Sequence, residues 1–292
     1  MFVAELFFDK IYNSQMKKLF LLFLLVTLID RSTFAQQTAD TVMFQKDSAI
    51  IPETDPLTKL LQEGEKVAHP EKTMMMLKSG KQISMHQFVK SNLTEFSDAA
   101  LVDLDNDGKA ELLFSNYTGG AHCCDEIYIF KKIGINRYQF SGKMYAGAVG
   151  INENKIFQYR LYELFGYFFT CYACGFPTES EADPIENNTI NIQYRQGRLQ
   201  IVKGDKELLH IIHDNLGKLK EQPYVALKDD LAMDEGLRKE FAFNLGVYYY
   251  AFGKNFTSTK LLFDKYYKFS DSKKVWNQFV ATIKHINSIN TF

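Results

Sequence analysis

The sequence predicts an α+β fold: an antiparallel, β-rich first part carrying an acidic hairpin, followed by a helical second part. Three observations predict it. From about Met74 to Lys203, short runs alternate apolar and polar residues or are rich in β-branched and aromatic ones, with glycine, asparagine and aspartate between them. From Asp205 the apolar residues recur at i, i+3 and i+4 in four successive segments. The close spacing of the strand-like runs favours hairpins and meanders over βαβ crossovers, which need longer connections. With 292 residues, 46% of them hydrophobic, the chain can bury one large core or two small ones. The change of pattern divides it into a β-rich domain over 55–204 and a helical subdomain over 205–292.

The first 35 residues read as a targeting segment. From Met16 the text is MKKLFLLFLLVTLIDRSTFAQQ: two lysines, an apolar run from Leu19 to Ile29, then the small Ala35. That is the layout of a secretory signal peptide over 1–35. The apolar run is shorter than the about 20 residues a membrane span needs. The true start is placed at Met16, because the preceding residues are foreign to such a signal. Asp30 and Arg31 make an unusual cleavage region, so an uncleaved N-terminal anchor is the competing reading. No cysteine follows the run to carry a lipid, and no stable membrane anchor is expected. Removing 1–35 takes away four positive and three negative charges, which moves the net charge from −1 to about −2. A near-neutral chain without a basic stripe gives no electrostatic reason to bind nucleic acid. Residues 36–54 are polar and aperiodic and read as a flexible leader.

Asp55-Pro56 then opens a helix over LTKLLQEGEKVA, with an acid at the cap, proline in the first turn and leucines at helical spacing. The strand-like runs follow: AALVDLD, AELLFSNY, DEIYIFKK, INRYQFSGKMY, TINIQYRQ and RLQIVK. The helical segments are KELLHIIHDNLGKL, GLRKEFAFNLGVYYYAFG, TSTKLLFDKYYKF and KKVWNQFVATIKHI. Gly253-Lys254-Asn255 and Ser270-Asp271-Ser272 are breaks between them.

The stretch LVDLDNDGKAELLF carries the most chemistry. Asp103, Asp105 and Asp107 alternate, Gly108 follows, and Glu111 comes ninth counting from Asp103. Acids at positions 1, 3 and 5, a glycine at 6, a backbone carbonyl near 7 (Lys109) and an acid at 9 are the parts of a calcium loop. A hard divalent cation needs several oxygens at roughly 2.4 Å. Acids packed this closely repel one another unless a cation fills the site. An EF-hand carries glutamate at position 12 between helices; here that position is Phe114 and the flanks read as strands, so this is a calcium loop in a strand hairpin. The alternative is an Asp-rich turn that binds nothing. The stretch resembles the FG-GAP/VCBS type of calcium-loop repeat. The resemblance implies Asp103, Asp105, Asp107 and Glu111 as side-chain ligands and Lys109 as a carbonyl ligand, with Glu111 standing where aspartate is commoner. There is one copy, so a full propeller is not expected.

After one strand comes TGGAHCC, and later CYAC. The four cysteines, Cys123, Cys124, Cys171 and Cys174, fall in two pairs, and an even count in an exported chain favours disulfides. A bridge between the pairs would close a loop of about 50 residues and contribute roughly 4 kcal/mol in the chain-entropy account. Spacing leaves the connectivity open. A zinc site drawing on Cys171, Cys174, one of the first pair and His122 is a rival; a redox Cys171-x-x-Cys174 and free thiols are others. The acidic loop, GGAHCC and CYAC together, over residues 98–203, are similar to a group of uncharacterised secreted bacterial proteins. That resemblance implies architecture and brings no activity.

His210 and His213 lie three apart on a helix, a spacing that can hold a metal but more often places one residue inside and one outside. Leu245, Gly246, Tyr249, Gly253 and Ser258 are similar to one tetratricopeptide-type helix pair, which implies close packing at Gly246 and a turn at Gly253. The ordinary alternative is a helical hairpin packed on the sheet, with Tyr248, Tyr249, Tyr250, Tyr266 and Tyr267 as core lining or as a contact surface. No GxSxG, HExxH, GxGxxG or Walker-type loop occurs. The expected function is a secreted or periplasmic, calcium-binding, disulfide-stabilised module that binds a protein or glycan partner. The alternative is a metal- or thiol-dependent enzyme centred on the His-Cys-Cys and Cys-x-x-Cys cluster.

Overall fold

The runs with strand character build two sheets, and the segments with helical spacing pack against them. The computed structural model describes residues 56–119, 125–145, 149–172, 174, 187–224, 234 and 236–292. The signal and leader segments (1–54), His122, Cys123 and Cys124 lie outside them. Six strands, β1 (Met74–Met76), β2 (Gln82–Ser84), β3 (Ser97–Val102), β4 (Glu111–Tyr117), β5 (Asp125–Gly134) and β6 (Arg137–Tyr145), form one sheet in the order β2-β1-β6-β5-β4-β3. Four more, β7 (Val149–Ile151), β8 (Ile156–Arg160), β9 (Thr189–Arg195) and β10 (Arg198–Ile201), form the second in the order β10-β9-β8-β7.

The helices are α1 (Pro56–Glu63), α2 (Met85–Asn92), α3 (Tyr162–Phe165), α4 (Lys206–Lys220), α5 (Leu237–Ala251), α6 (Phe256–Tyr266) and α7 (Ser272–Ile289). Strands thus dominate the first part and helices the second. One pairing departs from the expected meander: β1 runs parallel to β6, with Met74 opposite Arg137. A parallel neighbour needs a crossover, and the long excursion through α2 and β3–β5 supplies it.

Two helix boundaries also differ from the sequence reading. Helix α1 stops at Glu63 and does not reach Ala68. A Cβ on Gly64 would lie 2.6 Å from the Ala100 Cβ. The glycine lets the chain press against β3, where Glu65 O accepts from Leu101 N at 2.7 Å. Helix α2 arises where no helix is expected. Its signal is a capping box: Ser84 Oγ accepts from Gln87 N at 3.2 Å and Gln87 Oε1 from Ser84 N at 3.1 Å.

Strands β4 and β5 read as near-continuous apolar runs because both faces of their sheet are covered. On one face Leu112, Phe114, Tyr128 and Phe130 pack on Phe88 of α2, whose ring lies 5.2 Å from Phe114 and 5.0 Å from Phe130. On the other, Leu113, Ile127 and Ile129 join a larger cluster that takes in Leu57, strands β8 and β9 and helices α4–α7 as far as Ile286. Helix α5 is buried on nearly all sides, its first turn included, where Arg238 is paired with Asp234 and Asp271. Among the described residues no helix is long and apolar enough to cross a membrane.

The last residues tie the helices back to the first sheet. Strand β1 covers only Arg137–Gln139 of β6. Farther along the same strand, Thr291 N donates to Lys143 O at 3.0 Å, Lys143 N to Thr291 Oγ1 at 2.7 Å and Tyr145 N to Asn290 Oδ1 at 2.6 Å. The Phe292 ring then sits 5.1 Å from Tyr159 and 5.7 Å from Tyr250.

Candidate metal centre

The acidic loop joins β3 to β4, and the register that pairs Val102 with Glu111 places Glu111 at its mouth. The loop is shaped by its own side chains. Asp103 Oδ1 accepts from Asp107 N and Oδ2 from Gly108 N, both at 3.0 Å, and Asp107 Oδ1 accepts from Lys109 N at 2.8 Å. These Asx-type bonds bend the backbone. Asn106 and Gly108 occupy the left-handed region, at φ 57° and 83°, where glycine and asparagine are best tolerated.

The bend brings oxygen atoms of Asp103, Asp105 and Glu111 within 4.8 Å of one another. Glu111 is 5% exposed, and its Oε2 accepts from Leu104 N at 3.0 Å. Burial, offset in part by that bond and reinforced by the charges of Asp105, Asp107 and Asp103, raises its carboxyl to about 7. Asp105 divides its two oxygens. Oδ2 accepts from Gln196 N at 3.2 Å, while Oδ1 is buried without a hydrogen-bond partner. A buried charged oxygen left unsatisfied costs more than a hydrogen bond contributes. A hard cation would satisfy it and neutralise its neighbours, so the group could hold a metal ion.

Of the four side chains expected as ligands, three are thus brought together. Asp107 stands outside the cluster, exposed, with Oδ2 3.8 Å from Lys109 Nζ. Lys109, expected to offer its backbone carbonyl, is exposed. Two further residues reach the loop from the other sheet and carry no motif. Lys155 Nζ donates to Asp103 O at 2.5 Å and to Asn106 Oδ1 at 2.7 Å. Gln196 is the other. Only the Gln196-Gly197 turn between two strand runs marked that place in the sequence.

Cys171 and Cys174 are bonded to each other, with S–S 2.04 Å and Cα–Cα 5.1 Å. The bridge spans three positions, so a cross-link from this pair over the intervening 50-residue stretch is not formed, and its large entropic contribution does not arise. So bonded, the two sulfurs present no thiolate to zinc. The carbonyls of Tyr172 and Cys174 accept from Lys239 Nζ.

His210 is exposed, whereas His213 is half-buried with Nδ1 2.7 Å from Tyr266 OH. The pair shares no metal-type cluster among the described residues. Gly253 turns at φ 104° between α5 and α6, whereas the close approach at Gly246 is to Leu161 at the start of α3, where an added Cβ would meet Cδ1 at 2.8 Å, and not to the partner helix of the pair. Tyr249, Tyr250 and Tyr267 are core residues. No protein-family model, no curated protein and no solved structure matches the chain.

Proposed function

We propose that this protein is an exported, calcium-stabilised, disulfide-containing module that binds a protein or glycan partner. The observation that carries the ion is Asp105 Oδ1, buried and unpartnered on a carboxylate that clusters with those of Asp103 and Glu111. The likeness of the loop to FG-GAP/VCBS repeats supports calcium as its occupant, and the leader over residues 16–35 supports export. Asp103, Asp105 and Glu111 hold the ion; Asp107 adds negative charge at the rim. When bound, calcium supplies the positive charge that lets three close carboxylates remain ionised, so affinity and folding are linked. The exposed Phe96 and Tyr117, ring centroids 6.4 Å apart, offer a partner an aromatic contact of the kind enriched at interfaces.

Intact mass of the exported protein, native and denatured, with and without chelator, tests the reading. A calcium-sized mass lost on chelation is expected. Calcium at 100 times its Kd is then expected to stabilise the fold by about 2.7 kcal/mol, and Asp105→Ala to lose that response. A chain that binds no ion, or whose melting temperature ignores calcium in wild type, overturns the assignment.

A further inference from the structure

We infer that the ion loop fastens the two sheets together, so that calcium binding orders two turns of the four-stranded sheet as well as the hairpin that holds the ion. This rests on the reading of the loop as a calcium site. Both turns touch the loop directly. In the β7–β8 turn, Lys155 stands at φ 57° with its N–H on Asn152 O at 2.9 Å. Asn152 Oδ1 takes the amides of Asn154 and Ile156, each at 3.0 Å. That turn is stiff, and it delivers the Lys155 ammonium to the Asp103 carbonyl and the Asn106 side chain.

In the β9–β10 turn, Gln196 and Gly197 are both left-handed, at φ 53° and 74°, the conformation of a tight two-residue hairpin. Gly197 O accepts from Ser141 Oγ at 2.5 Å, and Ser141 Oγ lies 2.7 Å from Tyr194 OH. The turn is therefore pinned to β6 on one side. On the other its Gln196 amide is held by Asp105, the same carboxylate whose second oxygen has no partner. A cation that captures Oδ1 fixes the orientation of Oδ2 as well. The ion and the Gln196 amide thus bias one side chain toward one position, and the coupling between them is reciprocal.

Hydrogen exchange of the full exported chain, read by mass spectrometry across a calcium titration, tests this. Exchange is expected to slow in segments 103–111, 152–156 and 194–198 with one common midpoint, by about tenfold, within the usual range of coupling between sites. Lys155→Met leaves every carboxylate in place; in it calcium is expected to slow 103–111 and 194–198 but no longer 152–156. Slowing confined to 103–111 in wild type overturns the fastener while leaving the calcium site standing. Slowing nowhere overturns both.

Discussion

Asp105 and Gln196, 91 residues apart in sequence, meet at 3.2 Å, the backbone N–H of one sheet's turn donating to the carboxylate of the other sheet's loop. This contact makes Asp105 answer to two demands: a neutral amide on Oδ2 and the crowding of its carboxylate against those of Asp103 and Glu111. How those demands balance depends on pH and on calcium, and both can be varied.

The first prediction concerns Glu111. In the ion-free fold its carboxyl is raised from 4.5 to about 7, so the folded state holds the proton more tightly than the unfolded one. Its contribution to stability is complete below about pH 4.5 and lost as pH rises through 7, an effect on the order of 3 kcal/mol. In chelator, wild type is therefore expected to lose stability relative to Glu111→Gln between pH 5 and 8, by urea denaturation at each pH. With calcium present the trend reverses, since the ion requires the carboxylate. A constant difference between the two proteins in chelator rules the assignment out.

The second prediction concerns His213. Burial, then the charges of Lys265 and His210, lower its imidazole below the ordinary 6.5. A lowered histidine contributes stability above the unfolded value and loses it as pH falls below 6.5. Its Nδ1 faces Tyr266 OH. His213→Asn keeps a neutral partner for that hydroxyl and is expected to lose less melting temperature than wild type between pH 7.5 and 5.5. Parallel curves for the two proteins would count against it.

The third prediction concerns residues 290–292. Ending the chain at Ile289 removes four hydrogen bonds to β6 and the ring contacts of Phe292, and is expected to cost about 3 kcal/mol or more. Thr291→Ala removes only the hydroxyl and is expected to cost about 1 kcal/mol. Equal stability of the truncated and full chains in denaturant would show the tail to be unattached.

The order of strands and helices was legible because each element carries its own periodicity. Helices α4–α7 and strands β3–β6, β9 and β10 lie where the local pattern places them. The parallel β1–β6 pairing, helix α2 and the short β7–β8 hairpin were not. Three-residue strands such as β1, β2 and β7 hold too few residues to show alternation, and α2 is announced only by Ser84 and Gln87. The acidic loop was legible because its ligands are contiguous. Lys155 and Gln196 were not, because they reach it across 49 and 91 residues with groups, an ordinary lysine and a backbone amide, that no motif records. The Cys171–Cys174 bond depends on a tight local turn, to which counting cysteines is blind.

Lys143 and Thr291 are 148 residues apart, yet they exchange hydrogen bonds as if they were strand neighbours. Closing so long a loop comes late, because its entropy must be met before the contact rewards it. Beyond Gln139, where β1 stops, the outer edge of strand β6 stays without these backbone partners until residues 290 and 291 dock on it. A bare edge is where a partly folded chain adds a strand from another copy. Until residues 290 and 291 dock, a refolding chain therefore presents a site for misassociation, and its folding yield should fall with concentration more steeply than its final stability alone would indicate.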